Sequence, residues 1–143
     1  MIDSGEHMKK MVLALASLVW TTSALAGEDY RCKIERIESA QGENSATLQF
    51  ERKNHLGKDF SVDRRTGITA GALKNAGATN PVVIDRGSSE NAFRAVTTMR
   101  IDQGAGAGSL AILLVINEFE DTDRKPFVFV DGTTVYFGGC VHF

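Results

Sequence analysis

Two cysteines are the only thiols in this 143-residue chain, and they stand near its two ends: Cys32 in "GEDYRC" and Cys140 in "VYFGGCVHF". If they pair, the first and last structured segments must be neighbours in space. The bond would then close a loop of about a hundred residues, which the chain-entropy argument values at roughly 4–5 kcal/mol. Whether they pair depends on the compartment, because disulfides persist outside the reducing cytosol.

The N-terminus speaks to the compartment. Lys9 and Lys10 precede an uncharged run from Met11 to Val19, and small residues follow, ending in Ala24-Leu25-Ala26. A basic region, a short apolar region and an A-x-A site, in that order, make a secretory signal. The run is too short for a membrane span and soon meets Thr21, Thr22 and Ser23. Cleavage is expected between Ala26 and Gly27, so residues 1–26 read as an N-terminal extension plus signal peptide, and residues 27–143 as a single β domain. Met8 is a better start than Met1, since Asp3 and Glu6 dilute the positive charge that such signals need. Cys32 follows Asp29-Tyr30-Arg31 rather than small apolar residues, which argues against a lipid anchor. The expected location is periplasmic or secreted, with Cys32–Cys140 as the one intramolecular disulfide.

About 117 residues remain after cleavage, which suits one domain with a core of its own. The whole chain carries 16 basic and 18 acidic residues, a net charge of −2. The signal region removes Lys9 and Lys10 along with Asp3 and Glu6, so the balance is unchanged. Such a balance gives no electrostatic footprint for nucleic acid or an anionic membrane. The single tryptophan, Trp20, lies inside the signal, leaving no indole for a sugar-stacking face.

Patterning beyond residue 27 is that of strands separated by turns. "YRCKIERI" puts Tyr30, Cys32 and Ile34 on one parity, and "ATLQFER" alternates Ala46, Leu48 and Phe50 against polar neighbours. "FSVDRRTGITAG" reads as a hairpin, and "PVVID" as a strand whose Pro81 suits a start or an edge. In "AFRAVTTMRI", Phe93, Ala95, Thr97, Met99 and Ile101 share a face opposite Arg94 and Arg100. "LAILLVINEF" is apolar on both parities, which predicts a strand covered on both faces. "PFVFVDGTTVYF" is a hairpin around Asp131-Gly132. Only "TAGALKNAGATN" (69–80) has no strand character throughout, and its glycines make a poor helix. About eight strands are expected, in an all-β, antiparallel barrel or closed sandwich. Closure is favoured because the cysteines bring the first and last strands together and closure removes exposed edges.

Chemistry-bearing motifs are few. "GAGSLA" (106–111) fits a G-x-G-x-x-A dinucleotide pattern, but a strand rather than a helix is expected to follow it, so it reads as a loop and no cofactor is implied. Glu118, Glu120, Asp121 and Asp123 crowd one acidic turn without the ligand spacing of a calcium loop. His142 beside Cys140 supplies too few ligands for zinc, so no metal is assigned. No nucleophile motif appears and no catalytic residue is assigned. Arg64 and Arg65, in the first hairpin turn, are the candidate binding residues, because guanidinium groups grip carboxylate or phosphate bidentately.

Tyr30-Arg31-Cys32 and the late Cys140 resemble, in outline, the small periplasmic lysozyme inhibitors, which begin with Tyr-x-Cys and form disulfide-bonded β-barrels. That family's Ser-Gly-containing inhibitory loop has no counterpart here. The resemblance implies inhibition of an envelope hydrolase such as lysozyme. A second resemblance, of the alternating Val135, Phe137, Gly139, Val141 and terminal Phe143 to the last strand of outer-membrane barrels, implies a membrane barrel; the length and aromatic content of the chain speak against it. A small enzyme using surface carboxylates such as Glu118 and Asp121 is a further alternative. The expectation that best joins these features is a soluble exported module that binds a protein or small molecule of the cell envelope without turning it over. It needs neither nucleic acid nor a transmembrane segment in the mature chain.

Overall fold

Tyr30, Cys32 and Ile34 point inward from the first strand, β1 (Tyr30–Ser39), as their shared parity predicts. A bulge at Glu35 then shifts the alternation by one, so that Ile37 rather than Arg36 faces in. The computed structural model describes residues 29–143. The expected signal peptide, with the Ala26–Gly27 cleavage point, lies outside the described residues.

After β1 comes a helix, α1 (Ala46–His55), followed by β2 (Asp59–Val62) and β3 (Thr69–Gly71). The remaining strands are β4 (Val82–Arg86), β5 (Phe93–Met99), β6 (Leu110–Ile116), β7 (Lys125–Asp131) and β8 (Thr134–His142). All pairings are antiparallel, and the eight strands form one curled sheet in the order β3-β2-β1-β8-β7-β6-β5-β4. Every strand therefore pairs with its neighbour in sequence, except that β1 pairs with β8 and β3 does not pair with β4. The all-β expectation holds. The expected closed barrel does not form: the sheet is an open half-barrel whose seam lies between β3 and β4. The first and last strands do meet, as the cysteines require, but in the middle of the sheet rather than at its margins.

Four local expectations are corrected. The segment "ATLQFER" is helical, because Ser45 caps it: its hydroxyl accepts from the Leu48 N–H at 3.2 Å. Of its alternating apolar residues only Leu48 is buried, while Phe50 is 61% exposed. Strand β6 is covered on one face rather than two, with Ile112, Leu114 and Ile116 inside and Ala111 and Leu113 outside. Ile101 leaves the inward row of β5 for a 3-10 turn (Ile101–Gln103) and is exposed. In the β7–β8 hairpin the two loop residues are Gly132 and Thr133, since Asp131 pairs with Thr134. Gly132 takes φ 57° at the first loop position, as a tight hairpin turn of this hand demands.

The core fills the concave side of the sheet, with Tyr30, Ile34, Phe60, Phe93, Leu114, Phe127 and Phe129 at its centre. Phe60 and Phe127 meet edge-to-face at 5.1 Å, linking β2 to β7 across the interior. Gly138 lies opposite Ile34, where any side chain would run into the Lys33 carbonyl oxygen and the Phe127 ring. Cys32 and Cys140 are direct cross-strand partners, 3.9 Å apart at Cα, and are joined by a disulfide.

Candidate functional site

Where the sheet fails to close, the two free edges are treated differently. On the β3 side, Asn75 of the following loop acts as a short substitute strand. Its side chain accepts from the Thr69 N–H at 2.9 Å and donates to the Gly67 carbonyl at 2.8 Å. The Thr97 hydroxyl of β5 donates to the Asn75 carbonyl at 2.7 Å, so this loop is tied across the seam. Gly67, at φ 75°, brings the β2–β3 turn against Ala95 and Val83 with no room for a larger residue.

The β4 side carries no such cover among the described residues, and what remains there is a cleft of about 620 Å³. It lies between the β2–β3 turn and the edge of β4 and is lined by Arg65, Thr66, Ile68, Asn80, Pro81, Val83, Ile84 and Arg86. The turn is built by Asp63, whose carboxylate accepts from the N–H groups of Arg65 and Thr66, both at 2.9 Å. Those two bonds, led by that from Thr66, hold the Asp63 carboxyl below the usual carboxylate range. Arg65 itself is exposed.

A second bulge places the other guanidinium. Val83 pairs with Ala95 and faces inward, so plain alternation would send Asp85 inward and Arg86 outward. The extra residue Ile84 shifts the register, and Arg86 instead pairs with buried Phe93 on the cleft side. Asp85 pairs with Arg94; it is half-buried, 3.9 Å from the Arg94 guanidinium, and accepts from the Gly87 N–H at 2.8 Å. Among the described residues no carboxylate pairs with Arg86, and the nearest to Arg65 is Asp63 at 3.9 Å. Two weakly neutralised cations thus share the cleft with the apolar side chains of Ile68, Pro81, Val83 and Ile84, in a chain of net charge −2.

Of the two arginines singled out from the sequence, Arg65 lines this cleft and Arg64 does not. Arg64 crosses the seam to donate to the carbonyls of Arg86 and Gly87 at 2.6 and 2.8 Å, and its backbone N–H donates to the Asp29 carboxylate. Arg86 and Asn75 went unnoticed in the sequence, because a bulge and a loop amide leave no periodic trace.

Both ends of the half-barrel are plugged by a glutamate held between a tyrosine and a histidine. At one end Tyr30 donates to Glu118 Oε2 at 2.8 Å, His142 Nε2 lies 2.9 Å from Oε1, and the Tyr30 and His142 rings stack at 4.8 Å. At the other, Tyr136 donates to Glu51 of α1 at 2.8 Å, and His55 Nδ1 lies 2.7 Å from the same carboxylate oxygen. Burial, reinforced by the glutamate in each case, raises both phenols well above their ordinary value, so each stays a hydrogen-bond donor. The chain has only these two tyrosines, and both serve this way. Parity offered the clue, since His142 lies two residues beyond inward-facing Cys140.

The acidic turn spends Glu118 on this plug, and among the described residues no three carboxylate, histidine or cysteine side chains gather to hold a metal ion. Gly106 belongs to the loop before β6, so a strand follows "GAGS". No helix among the described residues is long and apolar enough to cross a membrane. No family model, curated protein or solved structure matches this chain. The residues themselves must carry the functional reading.

Proposed function

We propose that this chain is a small exported module of the cell envelope, acting by binding rather than turnover, and that its ligand occupies the seam cleft beside β4. The observation that carries this reading is the Ile84 bulge, which pairs Arg86 with Phe93 and leaves it lining, together with Arg65, the cleft where the described sheet is unclosed. Bulges that re-aim a side chain recur beside functional sites, and guanidinium groups beside apolar side chains suit an anionic group with an apolar portion. The Cys32–Cys140 disulfide fits an oxidising compartment, as the signal-like N-terminus does.

Native mass spectrometry of protein recovered from the envelope fraction of its own host tests the reading. The expected polypeptide starts at Gly27, is two hydrogens lighter than the reduced form, and carries a mass that dissociates on activation. An Arg65→Gln/Arg86→Gln double variant should retain the disulfide and lose at least tenfold of the occupancy. Full occupancy of the double variant would remove the cleft as the site, and a polypeptide retaining residues 1–26 would remove export.

A further inference from the structure

We infer, resting on the cleft reading above, that the ligand is an extended polypeptide segment with an acidic side chain, which adds to the free edge of β4 as a further strand. The first support is backbone geometry. Along an antiparallel edge strand, every second residue aims its N–H and C=O away from the sheet. On the β3 side Asn75 takes the Thr69 N–H and the Gly67 carbonyl, whereas on β4 the described hydrogen bonds from across the seam reach only its last residue, through Arg64 to the Arg86 carbonyl. The outward-facing groups among Val82–Asp85 are left open to pairing.

Side chains supply the second support. Val82 and Ile84 are 64% and 62% exposed, so the edge strand offers β-branched side chains on its outer face to a neighbouring strand. Arg65 and Arg86 then select for charge. A strand laid along β4 would present alternate side chains to the turn carrying Arg65, and a carboxylate there meets two guanidinium groups with no acidic competitor closer than Asp63. Pro81 fixes where the added strand must stop, since the proline nitrogen cannot donate.

The probe is a blocked eight-residue peptide alternating valine and threonine, with two central glutamates. Two controls accompany it, one with glutamines in place of the glutamates and one with alternate backbone amides N-methylated. Binding to the oxidised protein is read by calorimetry and by amide shifts in 15N-labelled protein. The expected result is shifts at Val82–Asp85 and around Arg65, at least tenfold weaker binding of the glutamine peptide, and loss of binding on N-methylation. Arg65→Gln/Arg86→Gln should bind the glutamate and glutamine peptides equally. Equal binding of the N-methylated peptide, or shifts confined elsewhere, would overturn strand addition. If only a small amphiphilic anion such as decanoate shifts the cleft amides, the peptide inference fails while the cleft reading survives. If neither peptide nor decanoate shifts them, the peptide inference is again overturned, and loss of occupancy in the double variant by mass spectrometry then decides the cleft reading separately.

Discussion

Asp131 closes β7 beside the plug formed by Glu51 and Tyr136, and burial, followed by the nearby Glu51 charge, raises its carboxyl above the ordinary range. The native state therefore binds this proton more tightly than the unfolded chain does. Its contribution is most favourable below the unfolded value, near pH 3.9, and is lost as pH rises through the higher folded value. Asp131→Asn removes the charge while keeping the shape, so it should raise the melting temperature at pH 7. The gain should shrink as pH falls through the raised folded value and be gone below about 4, where the Asp131 carboxyl is protonated in folded and unfolded chains alike. Thermal melts of both proteins at pH 3 and pH 7 check this, and a gain equal at both pH values would rule out the charge as its cause.

Helix α1 brings Glu51 to Tyr136, and the helix depends on its first turn. Ser45→Ala should cost about 1 kcal/mol through the lost cap, read as a lower denaturation midpoint at unchanged m-value, with the Glu51 plug loosened. This element was the least legible in the sequence. Ala46, Leu48 and Phe50 imitate a strand, but the run continues through Arg52, Lys53, Asn54 and His55 without alternation, and Ser45 stands where a cap belongs. Strands whose inward row is unbroken, such as β5 from Phe93 to Met99, could be read directly. The bulges at Glu35 and Ile84 could not, because an extra residue changes which face is buried without changing composition. The candidate site hangs on the second of these, so only its Arg65 half was visible beforehand.

At the scale of the whole molecule, β1–β8 is, among the described strands, the pairing that joins the most distant parts of the chain, and Cys32–Cys140 locks it across a sequence separation of 108. Replacing both cysteines by serine should lower stability by about 2–5 kcal/mol, measured by urea unfolding. The variant should also refold more slowly than the oxidised chain, because loop-closure entropy must then be met during folding. The seam gives this arrangement a further meaning. Phe143 donates to the Asp29 carbonyl at 3.2 Å, so the two ends of the described chain abut, while β3 and β4, consecutive in sequence, stand apart. In connectivity the sheet is a ring, cut at one point in its covalent chain and at another in its hydrogen bonding. A circular permutant joined at Asp29 and Phe143 and opened between Gly71 and Pro81 would make the two cuts coincide. Each strand would then pair only with the next, and the long-range disulfide would become the staple of an ordinary hairpin.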